Sequence, residues 1–248
     1  MVKRGQVTVF IVVGIVIFLS VISLFLLRSQ IITEELPQEI ILTGENIKNY
    51  VNSCLEKTAK EAILENGRSG GYFILPDLST ADLYYNVPYY YVFEQDFSPT
   101  DEKIEEEMER YIDVFLDLCL DNFQPFEGHT ITKGNPTTAV RFSTTKIIVT
   151  TDLPVAIELG VLRKDISSFQ VEVPADQLYQ NIITARKIVE TSKKEICLTC
   201  FSDLAKENDL FVNILPSFNN TYIYDIKDSN YIINNEQYHL RFAIQYES

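Results

Sequence analysis

The sequence contains no tryptophan and only two histidines and two methionines among its 248 residues. The histidines, His129 and His239, are far apart in the chain, and no second C-x-x-C pair exists to complete a four-ligand zinc site. The sequence also lacks a Walker loop, a dinucleotide-binding fingerprint and an H-E-x-x-H motif. We therefore expect no metal, no cofactor and no enzymatic activity.

One string, Gly67 to Gly71, matches the G-x-S-x-G motif of serine hydrolases. That motif places its serine between a strand and a following helix, whereas here a predicted helix comes first and a predicted strand follows. We therefore interpret the string as a glycine-rich connector.

Basic residues are scarce, since 21 Lys and Arg stand against 35 Asp and Glu and give a net charge of −14. So acidic a chain has no basic stripe to replace the counterions on phosphates, which excludes a nucleic-acid partner. Hydrophobic residues nevertheless make up 46% of the chain. That is enough to build a core, so disorder is excluded for most of the chain.

A single apolar run covers residues 7–27 and contains only three polar residues, all with hydroxyl side chains. A helix of about 20 residues spans the hydrocarbon core of a bilayer. Lys3 and Arg4 precede the run, and no acidic residue occurs in the first 28 residues. The positive-inside bias therefore predicts a transmembrane helix in membrane lipid, with a cytoplasmic N-terminus and an extracellular C-terminal part.

The residues before the run carry a second signal. Lys3-Arg4-Gly5-Gln6, followed directly by the apolar helix, resembles the class III signal peptides of archaeal type IV pilin-like proteins. The resemblance implies that a prepilin peptidase cuts between Gly5 and Gln6, and that the helix then anchors the chain or packs against other pilin-like subunits. Phe10 stands where many pilins carry a glutamate, which favours a solitary anchor over a filament subunit. The stretch from Cys54 to Tyr72 is similar to uncharacterised archaeal surface proteins, a resemblance that implies no activity.

We expect an ectodomain of the α+β class with an antiparallel sheet, because helical and strand periods occupy separate stretches of the chain. The predicted parts are a basic leader at 1–6, the membrane helix at 7–27, a stalk at 28–43, a mainly helical part at 44–125 and a strand-rich α+β part at 126–248.

Three stretches show the spacing of amphipathic helices, at about 45–66, 98–122 and 175–193. In the second, Ser98 and Pro99 are typical of a helix start, and six acids crowd the first turns, where the helix dipole favours them. The acids lack the pattern of a calcium loop, so we interpret them as a solvated face. The predicted buried faces are Ile47, Val51, Cys54, Leu55, Thr58, Ala62 and Ile63; Ile104, Met108, Tyr111, Ile112, Phe115, Leu118 and Cys119; and Leu178, Ile182, Ala185, Ile188 and Val189.

Alternating and β-branched residues predict strands later in the chain. They fall at 138–143, 146–159, 169–174, 209–216, 221–226, 230–234 and 238–246. A short strand is also predicted at 70–76, and Asp228-Ser229-Asn230 predicts a hairpin turn.

Residues 84–93 are unusually aromatic, and two interpretations remain open. The favoured one is a loop packed on the domain, because buried aromatic rings mostly belong to cores. The other is a platform on which a glycan or peptide stacks against the tyrosines. Those candidates are Tyr84, Tyr85, Tyr89, Tyr90 and Tyr91. Separately, Asn219 begins an N-x-T sequon, which is either a glycosylation site or an ordinary turn.

The four cysteines form an even set outside the predicted membrane helix, which points to disulfides. Cys54 and Cys119 lie on apolar faces of two predicted helices, so we favour their pairing over free thiols or crossed pairs. Cys197 and Cys200 have the spacing of a redox pair, but the strand that such a site needs before it is missing, so a local structural disulfide is favoured over catalysis or zinc.

These observations favour a non-enzymatic, membrane-anchored cell-surface protein that acts as a structural or interaction subunit, with pilin-like subunits or other surface proteins as partners. The alternatives are an extracellular glycan- or peptide-binding module that uses the tyrosine-rich loop and, less favoured, an extracellular thiol oxidoreductase that uses Cys197 and Cys200.

Overall fold

A computed structural model of the chain describes residues 44–80, 86–126, 130–159 and 162–247, together with Phe18. The predicted leader with Gly5 and Gln6, the stalk, and all of the predicted membrane span except Phe18 lie outside these residues. Among the described helices, none is both long and apolar enough to cross a membrane. The chain divides into two compact units, 1–41 and 42–248, and every element named below belongs to the second.

The described part of this unit is α+β, with helices and strands in separate blocks. The helices are α1 (Gly44–Arg68), α2 (Asp101–Leu120), a 3-10 turn (Asp121–Phe126), α3 (Asp176–Thr191) and α4 (Leu198–Glu207). The strands are β1 (Tyr89–Val92), β2 (Gln95–Asp96), β3 (Thr130–Lys133), β4 (Thr137–Phe142), β5 (Lys146–Leu159), β6 (Leu162–Pro174), β7 (Leu210–Pro216), β8 (Thr221–Ile233) and β9 (Glu236–Gln245).

The strands form two sheets in which antiparallel pairing dominates, as the sequence predicts. Sheet A has the order β2-β1-β9-β8-β7, and its one parallel pair joins β1 to β9. In sheet B, β5 pairs along its whole length with β6. The opposite side of β5 pairs with β4 at one end and with β3 at the other.

One continuous core joins the helices to both sheets. The predicted inner faces of α1 and α3 are confirmed, since every residue named for them is at most 5% exposed. On α2 the prediction is wrong for Leu118, which is 72% exposed, whereas Leu116 and Leu120 are fully buried. The buried stripe follows a four-residue spacing through Ile112, Leu116 and Leu120. Leu118 lies about 200° around the helix from either leucine, on the solvent side.

The helix α2 begins later than predicted. Its N-cap is Thr100, whose hydroxyl accepts the backbone N–H of Lys103 at 3.2 Å. Ser98 and Pro99 remain outside the helix, so Ser98 does not cap it.

The acidic face of α2 covers the free edge of β4. Glu105 accepts the backbone N–H of Phe142 at 2.7 Å, and Glu109 accepts that of Val140 at 2.9 Å. Four residues of helix rise about 6 Å and two residues of strand about 6.7 Å, so the two rows stay in step. The expectation of a purely solvated acidic face is therefore wrong, because these carboxylates satisfy a sheet edge that is otherwise open to pairing.

Two local predictions are wrong. Residues 70–76 are turn and bend instead of a strand, because Phe73 and Ile74 donate their backbone N–H groups to the carboxylate of Glu107, both at 3.1 Å. Asp228-Ser229-Asn230 is no hairpin turn, since β8 continues through it with a register shift. The turn comes later, at Asn234 and Asn235, which adopt the positive φ angles of 51° and 65° that a two-residue hairpin needs.

Candidate functional site

The first disulfide joins Cys54 of α1 to Cys119 of α2, as predicted. Cys54 is 5% exposed, so this bridge belongs to the core. Close by, the hydroxyl of Tyr50 donates to the carbonyls of Cys119 and Leu120 at 3.2 and 3.1 Å. These hydrogen bonds satisfy carbonyls at the end of α2 that have no partner within the helix. The bridge therefore lies where α1 and α2 are already joined by hydrogen bonds.

The second disulfide joins Cys197 to Cys200, also as predicted. Cys197 is the N-cap of α4, and its sulfur accepts the backbone N–H of Cys200 at 3.3 Å. Both cysteines are half-buried, whereas Leu198 between them is 68% exposed. The pair thus opens a helix at the surface of the domain.

Helix α4 is held against sheet A by Phe201. Its ring is 4% exposed and packs edge-on against Tyr224, with 5.5 Å between the ring centroids. The element directly before the pair is α3, which the loop 192–197 joins to it, so no strand leads into Cys197. The prediction that a helix, and not a strand, comes before the pair is confirmed. The pair nevertheless lies at a helix N-terminus, as the cysteines of redox sites do.

The loop 192–197 also lines a cleft of the described surface, which has a volume of about 980 Å³. Its walls come from the β1–β2 turn, the β7–β8 turn, this loop and the end of β9. The lining residues are Tyr91, Phe93, Glu94, Lys193, Lys194, Asn219, Asn220, Gln245, Tyr246 and Glu247. The cleft therefore combines aromatic rings with two lysines and two glutamates at one end of sheet A.

An exposed ring stands at this cleft. Phe93 and Glu94 form the β1–β2 turn with φ angles of 53° and 57°, a conformation that most side chains avoid. Phe93 is 72% exposed, and sequence reasoning did not single it out. The only signal for it was its place at the end of the aromatic stretch.

The tyrosines of residues 84–93 differ in burial and in position. Tyr90 lies in the core, 2% exposed, with its ring stacked on Phe242 at 4.4 Å, so it offers no face to a ligand. Tyr91 is 8% exposed at the wall of the cleft. Tyr89 is half-buried, with its hydroxyl 3.2 Å from that of Thr221. Tyr84 and Tyr85 lie outside the described residues.

The sequon occupies the β7–β8 turn at the cleft. Asn219 is exposed with a φ of 54°, and its backbone carbonyl accepts from the side chain of Gln245 at 3.0 Å. Thr221, in contrast, is buried, so the sequon presents its asparagine outward and its threonine inward.

Two buried carboxylates of the domain, those of Glu107 and Asp225, lie beside cationic side chains. Glu107, 2% exposed at its side chain, lies 2.8 Å from the ammonium of Lys103 and 3.3 Å from the guanidinium of Arg110. Asp225, 4% exposed, lies 2.8 Å from Nδ1 of His239 and accepts from Arg241 at 3.3 Å. Within the described part of the chain, no group of three or more His, Cys, Asp or Glu could hold a metal ion.

The glycine-rich string ends α1 and packs on β9. A Cβ at Gly67 would overlap the ring of Tyr238 and the carbonyl of His239. Gly71 donates its N–H to the carbonyl of Asn66 at 2.7 Å, which closes the helix. Ser69 follows a helix instead of a strand, so it does not lie on a nucleophile elbow.

Comparison with known proteins adds no relative. No family model, no curated protein and no solved structure matches this chain.

Proposed function

We propose that this protein is a membrane-anchored cell-surface protein whose α+β domain acts as a structural or interaction subunit outside the cytoplasm. Its N-terminal segment resembles that of pilin-like proteins, so we also propose that processing occurs between Gly5 and Gln6. In this proposal the helix at 7–27 anchors the chain, and the partners are other surface proteins.

The observation that carries the proposal is the state of the cysteines, since all four are joined in two disulfides. Disulfides persist in oxidising surroundings such as the exterior of a cell, and cytosolic thiols are normally kept reduced. The basic residues before the apolar run independently favour the same orientation. The net charge of −14 supports it too, because an acidic domain stays soluble and is repelled by anionic headgroups.

Two measurements on the native membrane test this proposal. We expect a membrane-impermeant amine reagent to label the domain on intact cells and an alkaline carbonate wash to leave the protein in the membrane. Labelling that occurs only after lysis, or release by the wash, would contradict the anchored orientation. The intact mass then tests processing. A mass without residues 1–5 supports cleavage between Gly5 and Gln6, and a mass that includes them contradicts it.

A second candidate function, a glycan- or peptide-binding module, is supported by Phe93 at the cleft beside Lys193 and Lys194. Exposed aromatic rings next to cations suit the faces of sugars and the side chains of acidic peptides. We expect Phe93→Ala to weaken binding on a glycan or peptide array at least tenfold. Phe211→Ala is the matched control, because Phe211 is 65% exposed on β7 but does not line the cleft. An equal effect of both variants, or no binding by the wild type, would remove this candidate.

A further inference from the structure

The Cys197–Cys200 disulfide lacks the preceding strand of a thioredoxin-like site, but it opens a helix at the surface, and that placement by itself suits thiol–disulfide exchange. We propose that it accepts electrons from pairs of cysteine thiols in protein substrates and leaves those substrates with a disulfide. This activity goes beyond the proposed surface role, which requires no thiol chemistry. It depends on three features of the pair: its place at a helix N-terminus, its exposure and the charges around it.

The helix N-terminus favours a negative charge on Cys197 once the bridge is reduced. Its sulfur already accepts the N–H of Cys200 at 3.3 Å, and the hydroxyl of Thr199 lies 3.6 Å from it. Backbone N–H groups at a helix start and the helix dipole stabilise a thiolate. A stabilised thiolate leaves more readily and makes its disulfide a stronger oxidant.

The charged residues that precede the pair in the chain also favour a thiolate. The first turn of α4 carries no acidic residue, and Asp203 comes only in the second turn. Lys193 and Lys194 precede the pair in the loop 192–197, against one acid there, Glu195. The loop that leads to the pair therefore carries a net positive charge in a protein that is acidic overall, and positive charge near a thiol lowers its pKa.

Access is the feature that separates this bridge from the other. Cys200 packs on the core, whereas Cys197 is not part of that cluster and stands at the outer end of α4. Leu198 lies between the two cysteines with 68% of its surface exposed. In the first bridge, in contrast, Cys54 is 5% exposed, and the half-buried Cys119 packs on the core.

The proposed reaction balances without any further reagent. One thiolate of the substrate attacks Sγ of Cys197, which breaks the Cys197–Cys200 bond, forms a mixed disulfide and releases Cys200 as a thiolate. The second thiolate of the substrate then attacks the substrate sulfur of the mixed disulfide and displaces the Cys197 thiolate. Two electrons pass from the substrate dithiol to the protein, the two substrate protons pass to solvent or to the released thiolates, and the substrate gains one disulfide.

The test uses the oxidised full-length protein in detergent and a peptide that contains two cysteines. We expect one equivalent of oxidised peptide per protein, with the bond reduced in the protein mapped by mass spectrometry to Cys197 and Cys200. The Cys54–Cys119 bridge of the same molecules is the internal control, and we expect its reduction to be at least tenfold slower. Equal rates for the two bridges, or no peptide oxidation above a protein-free control, would overturn the proposal.

A variant and a titration make the assignment specific. We expect Cys197→Ser/Cys200→Ser to abolish peptide oxidation, and circular dichroism checks that it is folded. In the reduced wild type, alkylation of each cysteine as a function of pH reports its pKa, and we expect that of Cys197 to lie below the ordinary value of about 8.5. A value at or above 8.5 would overturn the argument from the helix N-terminus even if the variant failed to fold. These readouts do not depend on where the protein resides, so they fail or succeed independently of the proposed surface role.

Discussion

The two disulfides of this protein differ in nearly every respect that matters for stability and reactivity. Cys54–Cys119 bridges residues 65 apart and lies among the packed faces of α1 and α2. Cys197–Cys200 bridges residues 3 apart and lies at the half-exposed start of α4. The same covalent bond therefore occurs once as a long-range constraint in the core and once as a local link at the surface.

The comparison teaches that sequence separation and burial give a disulfide its role. In the chain-entropy model a bridge stabilises by restricting the unfolded chain, and the restriction grows with the length of the closed loop. Burial also keeps attacking thiolates away from the sulfurs. The first bridge closes a long loop and has one fully buried cysteine, whereas the second closes a short loop and has two half-buried cysteines.

The largest expected effect is the loss of the long-range bridge. Cys54→Ala/Cys119→Ala should lower the free energy of unfolding by about 4 kcal/mol, because the closed loop is long and the sulfurs fill core space. Urea titration followed by circular dichroism measures this change. A loss below about 1 kcal/mol would show that the contacts between α1 and α2 hold this region without the bridge.

The next largest effect is expected from removing the buried carboxylate of Glu107 on α2. This change tests how much polar contacts stabilise the region of the first bridge. Glu107→Ala should cost about 3 kcal/mol, because the N–H groups of Phe73 and Ile74 lose their acceptor. Glu107→Gln keeps a carbonyl acceptor of the same shape and should cost less. Equal losses for the two variants, measured by urea unfolding, would mean that the charge and not the hydrogen bonding is what counts.

The dependence of stability on alkaline pH probes the buried tyrosines of sheet A. Burial raises the pKa of Tyr90, Tyr224 and Tyr238 above the ordinary value of 10, and the hydroxyl of Tyr246 adds to the rise at Tyr224. The folded protein then keeps these protons at a pH where the unfolded chain has lost them. Their contribution is therefore complete below pH 10 and is lost as the pH rises above 10.

We expect the free energy of unfolding to fall by about 1 kcal/mol for each of these tyrosines by pH 10.5. Urea unfolding between pH 8 and 10.5 measures the fall, and tyrosinate absorbance reports ionisation. Tyr224→Phe should make the fall shallower, since it removes one of the three groups. A stability that stays level across this range would contradict the burial of these hydroxyls.

The smallest effect completes the comparison. Cys197→Ala/Cys200→Ala should cost less than about 2 kcal/mol, because a bridge between residues 3 apart restricts the unfolded chain little. Phe201 still anchors α4 on Tyr224 in this variant. A loss as large as that of the first pair would show that the second bridge holds the fold of α4, and would erase the distinction drawn above.

Much of the helical structure was predictable because its pattern is local. The inner face of α1 repeats apolar residues at three- and four-residue spacing, and each of them is buried. On α2 the same reasoning misassigned Leu118, because apolar residues occur on both sides of that helix. Which side faces the core depends on how α1 and β4 pack against the helix, and no local pattern encodes that.

The candidate site residues also include some that local sequence patterns indicated and some that they did not. The sequence indicated the cysteine pairs, because spacing and helix faces limit which sulfurs can meet. It favoured burial for the aromatic stretch, which holds for Tyr90, but it did not indicate that Phe93 of the same stretch is exposed at a cleft. That difference follows from the pairing of β1 with β9, a contact between residues more than 140 positions apart.

By itself, the sequence determined the α+β class, the apolar run near the N-terminus, the acidic character and the existence of two cysteine pairs. These properties follow from composition and from short-range periodicity, which every folded arrangement of the chain must respect. Only the tertiary structure decided that the glutamates of α2 satisfy the edge of β4, that one disulfide is buried and that the other opens a helix at the surface. Those outcomes depend on which distant segments meet, because burial and hydrogen bonding are properties of the packed chain.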